Sequence, residues 1–371
     1  MLSLFVSPNI SNNSYVGVLS NDISQLNRGL KITLCSVVGV AGLLGNLLVI
    51  LAVCRVPRMK TTTFYLIVNM SVSDILFTLI SMPPFILGIA GYGLLVGGTL
   101  GSFLCKFVNF SVFSLMASSV LTMTAIAFDR FFAITKPMKD IINMVVLQRV
   151  VIAIWLISFV TSSPLIYSFQ LGQDNIGCFC YEEWSPIFDE ETGSRIYTLF
   201  DFIIIYMVPF LTIAVLYSLI ARHLWFGKSS SSNGRQTQIN LLRSRRKVVI
   251  MLITVIFFFI ICWLPLQILT LLAYFSEIQD NREVLFMGEF LIRTNAAINP
   301  LLYLIFSSTF RQAVKETFVR SHTTRNPTIE ITSPEKGNSG RRMSVPISYF
   351  RKNSIYHHND SFLNLKRETT L

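Results

Sequence analysis

Five polar side chains that could bind a small cation lie within otherwise apolar stretches of the sequence. Asp74 supplies a carboxylate in the middle of one such stretch. The other four, which offer hydroxyl or amide oxygens at comparable depths in other apolar stretches, are Asn46, Ser119, Asn295 and Asn299. Oxygen ligands of this kind suit a hard cation such as sodium. A network of hydrogen bonds between helices, without an ion, is the alternative that the spacing leaves open.

A pair of opposite charges, Asp129 and Arg130, is followed by Phe131 near the end of another apolar stretch. An arginine in this position can simply extend to lipid headgroups. Beside an aspartate it can instead form an ion pair that can be broken. The triplet is therefore a candidate switch.

Two prolines interrupt later apolar stretches beside aromatic residues. Pro265 follows Phe259 and Trp263, and it removes a backbone hydrogen bond, which predicts a helix kink. Asn299 and Pro300 form the second interruption, with Tyr303 close behind. Kinks beside bulky rings allow two helix packings of similar energy, as a conformational switch requires.

Histidine and cysteine offer little for catalysis or for a zinc site. The six cysteines show no Cys-x-x-Cys spacing. The four histidines, all in stretches that we predict to be cytoplasmic, are His223, His322, His357 and His358. We therefore predict no catalytic residues and no enzyme activity, and a membrane enzyme is disfavoured.

The elements that must hold these residues are long apolar helices. The 371 residues are 52% hydrophobic and 14% charged, and soluble domains carry roughly 25% charged residues. Continuous apolar runs of about 20 residues predict helices that cross a bilayer rather than barrel strands. The seven predicted spans are Ile32–Cys54, Phe64–Ala90, Phe103–Thr135, Val150–Phe169, Leu199–Trp225, Val248–Ala273 and Val284–Phe306. The predicted fold is an all-α bundle of seven transmembrane helices.

Basic residues set the orientation of this bundle. The odd-numbered connections and the C-terminal tail carry 25 Lys and Arg against seven Asp and Glu, so this side is predicted to be cytoplasmic. The other side carries ten Asp and Glu against five Lys and Arg, and it includes the N-terminus. The net charge of +11 is thus explained by topology, and nucleic acid is not an expected partner.

The predicted domain organisation has four parts. Residues 1–31 form an extracellular N-terminus with glycosylation acceptors at Asn9 and Asn12, and 32–306 form the membrane bundle. Residues 307–319 have an apolar stripe and predict a short amphipathic helix on the membrane surface. Residues 320–371 predict a disordered cytoplasmic tail, whose terminal Thr-Thr-Leu371 matches the pattern that binds PDZ domains.

Taken together and in order, these motifs resemble the rhodopsin-like, or class A, G-protein-coupled receptors. The resemblance runs from about residue 30 to 318. It implies that Arg130 pairs with Asp129 at rest and contacts a heterotrimeric G protein when the sixth helix moves outward. Tyr217 and Tyr303 are implied to stabilise this open form. It also implies that a sodium pocket is formed by Asp74, Ser119, Asn295 and Asn299. The full switch set that it implies is Asp129, Arg130, Phe131, Tyr217, Phe259, Trp263, Pro265, Asn299, Pro300 and Tyr303.

The second outer connection bears on the ligand. Cys105 can pair with Cys178 or Cys180, and the sequence Cys-x-Glu182-x-Trp184 resembles neuropeptide receptors of the galanin, allatostatin and neuropeptide FF type. That resemblance implies the Cys105–Cys180 disulfide. Cys178 would then lie outside this disulfide, and it could form a second disulfide with Cys35. Further candidate ligand contacts are Asp201, Gln267, Glu289 and Arg293, although Glu289 and Arg293 could equally pair with each other along one helix.

We therefore expect a plasma-membrane neuropeptide receptor that activates heterotrimeric G proteins, with receptor kinases and arrestin as partners. Apart from an allosteric sodium ion, no cofactor is expected. Alternatives are the same receptor fold with a lipid or other non-peptide agonist, and a polytopic transporter. A transporter would show matched repeats with broken helices in both halves, a pairing that this sequence lacks.

Overall fold

Seven long helices dominate the protein, whose computed structural model describes residues 17–92, 96–136, 142–173, 177–226, 235–275, 282–322, 328–331 and 343–346. Membrane helices 1 to 4 are Gly17–Arg55, Thr62–Ala90, Gly98–Thr135 and Met144–Ser162. Membrane helix 5 is built from Glu190–Asp201, a π-helical segment Phe202–Met207, and Val208–Phe226. Membrane helices 6 and 7 are Arg235–Phe275 and Arg282–Phe306. The predicted seven-helix bundle is confirmed.

Six of these helices are long and apolar enough to cross a bilayer by themselves. Membrane helix 7 meets the same criteria only together with the helix that follows it, from which it is separated by a bend of 98°. Its hydropathy is lowered by Glu289, Arg293, Asn295 and Asn299. Membrane helix 7 thus carries more of the candidate site residues than any other described helix.

Membrane helix 3 lies at the centre of the bundle. It packs against membrane helices 2, 4 and 5, and membrane helices 1, 2 and 7 pack against one another. In its most apolar stretch 72% of residues are buried, against 17–39% in the other five helices that pass the same test. The outward residues of those helices, such as Leu44, Val160 and Leu211, are exposed and apolar, as lipid contact requires.

Several helices extend beyond the spans predicted from hydropathy. Membrane helix 1 begins at Gly17 rather than near Ile32, and membrane helix 5 begins at Glu190 rather than Leu199. Asp189 caps the latter, because its carboxylate accepts a hydrogen bond from the Thr192 backbone N–H at 3.4 Å. Hydropathy reveals only the part of a helix that lipid surrounds, so polar extensions into water escape it.

The outer connection between membrane helices 4 and 5 forms a hairpin. Strand β1 (Phe169–Gln173) pairs antiparallel with β2 (Cys178–Glu182), and a disulfide joins Cys105 to Cys180. This confirms the implied pairing. The possible second disulfide between Cys35 and Cys178 is wrong, since both are buried free thiols.

A short helix, Ser308–His322, follows membrane helix 7 as predicted. The Ser307 hydroxyl caps it by accepting the Phe310 backbone N–H at 3.1 Å, and Phe310 is buried.

The chain divides after Val314 into two compact units. The second unit contains β3 (Thr328–Ile331) paired antiparallel with β4 (Met343–Pro346), within the segment predicted to be disordered. β-Branched residues at Ile329, Ile331 and Val345 favour this pairing. Asn9, Asn12 and Leu371 lie outside the described residues, so the glycosylation and PDZ predictions have no structural account.

Candidate functional site

The inner end of membrane helix 3 holds a partly buried ion pair. Arg130 donates from Nη2 and Nε to Asp129 Oδ2 at 2.7 and 3.1 Å. The side chain of Asp129 is 5% exposed and that of Arg130 is 23% exposed. The arginine is therefore turned inward to its neighbour rather than extended to the headgroups.

Two threonines at the inner end of membrane helix 2 complete the coordination of Asp129. The Thr62 hydroxyl donates to Oδ1 at 2.8 Å, and the Thr63 hydroxyl donates to Oδ2. These contacts tie membrane helix 3 to membrane helix 2 beside the ion pair. No sequence pattern pointed to them, because a threonine near a helix start is common in any protein.

The two switch tyrosines lie close to this pair. Tyr217 is buried and is near enough to Asp129 and Arg130 to interact electrostatically with both. Tyr303 is near enough to Asp74 and Tyr217 to interact electrostatically with both. Its ring packs edge-on against the Phe310 ring, with centroids 6.1 Å apart. The tyrosines thus connect the inner ion pair to the buried carboxylate deeper in the bundle.

An aromatic stack lies above them, next to the proline of membrane helix 6. Phe259 and Trp263 stack with centroids 5.1 Å apart, and Tyr206 of membrane helix 5 approaches Trp263 to 5.4 Å. Pro265 lies inside membrane helix 6 two residues beyond the indole. The Trp263 Nε1 atom is buried and has no hydrogen-bond partner in the described part of the chain.

Asp74 is the centre of a buried polar cluster. Its carboxylate accepts hydrogen bonds from Ser119 Oγ at 3.3 Å and from Asn299 Nδ2 at 3.0 Å. Two nearby amide oxygens on membrane helix 7, Asn295 Oδ1 and Asn299 Oδ1, are buried without a partner in the described residues. Asn46 instead anchors membrane helix 1 to membrane helix 7, donating to the Ala296 carbonyl at 2.8 Å.

In the outer half of membrane helix 7, Glu289 and Arg293 form an i,i+4 ion pair. Arg293 is 3% exposed, and its guanidinium lies 3.8 Å from the centroid of the Phe85 ring. Of the two possibilities that the sequence left open for these residues, the internal pair is the one observed. Each therefore has a charged partner within the helix, while Arg293 Nε is buried without a hydrogen bond to any described residue.

The remaining outer candidates lie around membrane helix 5. Glu182 accepts hydrogen bonds from Trp184 Nε1 at 2.6 Å and from Ser194 Oγ at 3.1 Å. Asp201 is 7% exposed, and the Gln267 side chain lies within hydrogen-bonding reach of Tyr206. Trp184 packs against Tyr197 with centroids 5.6 Å apart, which fixes the loop to the outer end of membrane helix 5.

The described residues form a helical bundle with a buried polar centre at Asp74 and an ion pair at the inner end of membrane helix 3. The outer end, called the outer mouth below, holds Glu182, Trp184, Asp201, Gln267 and Glu289. Residues 45–303 match the family model described as 7 transmembrane receptor (rhodopsin family). The chain belongs to this family. The prediction of a signalling receptor rather than an enzyme is thereby confirmed.

Relatives of this receptor carry the names of peptide receptors. It is 27% identical to a QRFP-like peptide receptor of Branchiostoma floridae over 303 residues, and the aligned part is 78% of each of the two chains. It is 29% identical to a substance-P receptor of Aquarana catesbeiana over 76% of this chain and 69% of the relative. An allatostatin-A receptor of Bombyx mori is 28% identical over 75% and 76%.

Several contacts of the receptor were not foreseen from its sequence. Lys31 bridges membrane helices 1 and 7 by pairing with Glu283 at 2.7 Å. Trp155 Nε1 donates to Asn69 Oδ1 at 3.0 Å, while Asn69 donates to Thr122, so membrane helices 2, 3 and 4 share one chain of hydrogen bonds. An asparagine and a tryptophan in separate apolar runs were the available signal, but only tertiary packing shows that they meet.

Proposed function

We propose that the protein is a plasma-membrane receptor, with its N-terminus outside, that binds an extracellular peptide and activates heterotrimeric G proteins. The observation that carries this is the Asp129–Arg130 pair. It is a partly buried, charge-assisted contact, and its release would free a basic side chain at the end of the bundle that we propose to be cytoplasmic. The basic residues of the inner connections and tail support the orientation.

Three observations favour a peptide over a lipid agonist. The relatives above are named for peptides. The outer hairpin that a disulfide links to membrane helix 3 carries Glu182, and Glu183 follows it directly, so this connection offers charged groups that a peptide can pair with. Acidic residues there would draw in a cationic ligand and raise its association rate.

We also propose that the Asp74 cluster holds a sodium ion. The Asp74 carboxylate is in contact with the Ser119 hydroxyl and with Asn299, and the amide oxygens of Asn299 and of Asn295, one helical turn earlier, are buried hard acceptors. An ion would satisfy oxygens that otherwise lack partners. A single carboxylate suits a monovalent cation, since it would leave a divalent ion uncompensated.

For the cytoplasmic side we propose receptor kinases and arrestin as further partners, and a PDZ protein at Leu371. The support is the sequence alone: a serine- and threonine-rich tail next to basic residues, which phosphate would make negative.

A cell assay tests the main proposal. Cells that express the receptor with a promiscuous G protein and a calcium reporter are screened with a library of amidated peptides and, separately, with lipids. We expect a response to at least one peptide and to no lipid.

Arg130→Ala provides the matched control for that screen. It should leave an N-terminal epitope at the cell surface and peptide binding intact, but abolish the calcium response. A response to lipids alone would refute the peptide assignment, and an Arg130→Ala receptor that signals normally would refute the role of the ion pair.

A further inference from the structure

The three acidic candidate ligand contacts, Glu182, Asp201 and Glu289, differ in whether other residues bond to them. Glu289 is paired with Arg293, and Glu182 accepts hydrogen bonds from Trp184 and Ser194. Asp201 is 7% exposed, yet within the described residues no hydrogen bond or ion pair reaches its carboxylate. One buried acid therefore lacks a partner among the residues that the structure describes.

One tyrosine precedes Asp201 and one follows it along membrane helix 5. Tyr197 precedes Asp201 by one helical turn and packs against Trp184 of the outer loop. Tyr206 follows it and packs against Trp263 at the level of the membrane helix 6 proline. Both tyrosines lie close enough to Asp201 to interact with it electrostatically. The acid thus lies between the loop and the base of the outer mouth.

Other polar atoms in this region also lack partners. Thr198 Oγ1, on the turn that precedes Asp201, and Trp263 Nε1 are both buried without a hydrogen bond to any described residue. Leaving buried polar groups unpaired costs free energy, and an unpaired buried charge costs more than a neutral group. The Asp201 carboxylate can accept hydrogen bonds, the Thr198 hydroxyl can donate or accept one, and the Trp263 indole can donate one. A ligand that makes these hydrogen bonds would be complementary to the site.

We propose that Asp201 is the anchor for a cationic group of the agonist, and that the agonist is therefore basic. The inference rests on the proposed function, in that the outer mouth is taken as the agonist site. A guanidinium fits best, because it pairs with a carboxylate through two N–H groups and stacks on aromatic rings. An arginine side chain of a peptide and a free small amine share this chemistry.

The first test needs no agonist. A reporter cysteine replaces Gln267, which lies beside Tyr206, and its modification rates by a cationic and an anionic methanethiosulfonate reagent are measured from outside the cell. The receptor without Gln267→Cys gives the background from native thiols. With Asp201 present, the cationic reagent should be favoured, and Asp201→Asn should lower the ratio of the two rates about tenfold.

Glu183→Gln is the matched control for charge at the mouth. Glu183 is an outer acid bonded to the Tyr181 hydroxyl at 3.1 Å, outside the aromatic site, and its neutralisation should change the ratio less than twofold. An unchanged ratio in Asp201→Asn would overturn the proposal. A reporter thiol that reacts with neither reagent would overturn it too, since a site closed to small cations cannot receive one.

The second test separates the two sources of the cation. Active amidated peptides that contain arginine are compared with citrulline versions, which keep the shape without the charge, and agmatine and tyramine serve as small-amine probes. We expect citrulline to lower potency at least 30-fold on the unmodified receptor. Asp201→Asn should lower the potency of the arginine peptide by a similar factor and leave the citrulline peptide little changed, while Asp201→Glu should retain part of the difference.

The outcomes distinguish this proposal from the proposed function. If arginine and citrulline peptides are equally potent and Asp201→Asn has no effect, the anchor is wrong and the peptide receptor stands. If only a small amine activates, and does so through Asp201, the anchor stands and the peptide assignment falls. If only lipids activate, the peptide assignment falls and the reporter thiol decides the anchor.

Discussion

Asp129 accepts four hydrogen bonds, and only two of them come from Arg130. The other two, from Thr62 and Thr63, would persist when the arginine leaves. The sixth helix has no acid at its basic inner end to hold Arg130. On the proposed function, the resting state would therefore depend on the Asp129–Arg130 pair, and activation would break this pair while the two threonines keep their bonds to Asp129.

Asp129→Asn should raise basal signalling. Replacing a charge-assisted pair by a neutral one removes about 1–2 kcal/mol from the resting state, or roughly a 5- to 30-fold shift toward the active state. G-protein nucleotide exchange without agonist measures it. Thr62→Val is the control, because Thr62 touches only the Oδ1 atom that Arg130 does not contact. An equal rise in Thr62→Val would show that the ion pair is not the restraint.

Sodium binding at Asp74 predicts a cation-specific stability. A ligand that binds only the folded receptor stabilises it, so the unfolding temperature of the purified protein should be about 2 °C higher in NaCl than in KCl at equal ionic strength. Asp74→Asn should abolish this difference. Ser73→Ala, which removes a hydroxyl that contacts Ser118 rather than Asp74, should keep it. A persistent difference in Asp74→Asn would move the ion elsewhere.

Among the larger elements, the β1–β2 hairpin is held at two points. The Cys105–Cys180 disulfide fixes it to membrane helix 3, and the Trp184–Tyr197 contact fixes its end to membrane helix 5. Cys178 packs tightly but covalently binds nothing: its Sγ would lie 3.0 Å from a Cβ atom on Gly97. The two cysteines of β2 therefore have unequal roles.

Serine substitutions separate these roles. Cys105→Ser or Cys180→Ser should cost about 2–5 kcal/mol of stability, because the bridge closes a long loop, and should sharply reduce the amount of epitope-tagged receptor at the cell surface. Cys178→Ser is close in volume and should leave surface expression within about twofold. The opposite pattern would mean that Cys178, not Cys180, forms the bridge in cells.

Sequence reasoning located elements better than contacts. Hydropathy found all seven helices, because lipid imposes a length and a composition on each. It missed the outer turns of membrane helix 5 from Glu190, because turns that lie in water can be polar. The motifs located Asp129, Asp74 and Trp263 on the correct helices. Glu289 pairs with Arg293, whereas no described residue pairs with Asp201, and this difference depends on side-chain packing, which no one-dimensional pattern contains.

For the whole molecule, the number of times that the chain crosses the membrane decides on which side of the membrane the C-terminal tail lies. Membrane helix 7 is the one crossing that fails the length and hydropathy test unless the next helix is included. It is nevertheless buried on one face: Ile292, Ala296 and Tyr303 belong to the main core. Glu289 and Arg293 pair with each other and Asn299 donates to Asp74, so contacts inside the bundle compensate for part of the hydropathy that the helix lacks.

Seven crossings predict that a tag inserted between residues 226 and 235 and a tag at the C-terminus lie on the same, cytoplasmic side, and that an N-terminal tag lies outside. Antibodies should detect the N-terminal tag on intact cells and the other two only after permeabilisation. A C-terminal tag exposed on intact cells, with the inserted tag still protected, would identify membrane helix 7 as the helix that does not cross. In that case Asn299 and Tyr303 could not meet Asp74 and Tyr217, and the connection from the outer mouth to Arg130 would be lost.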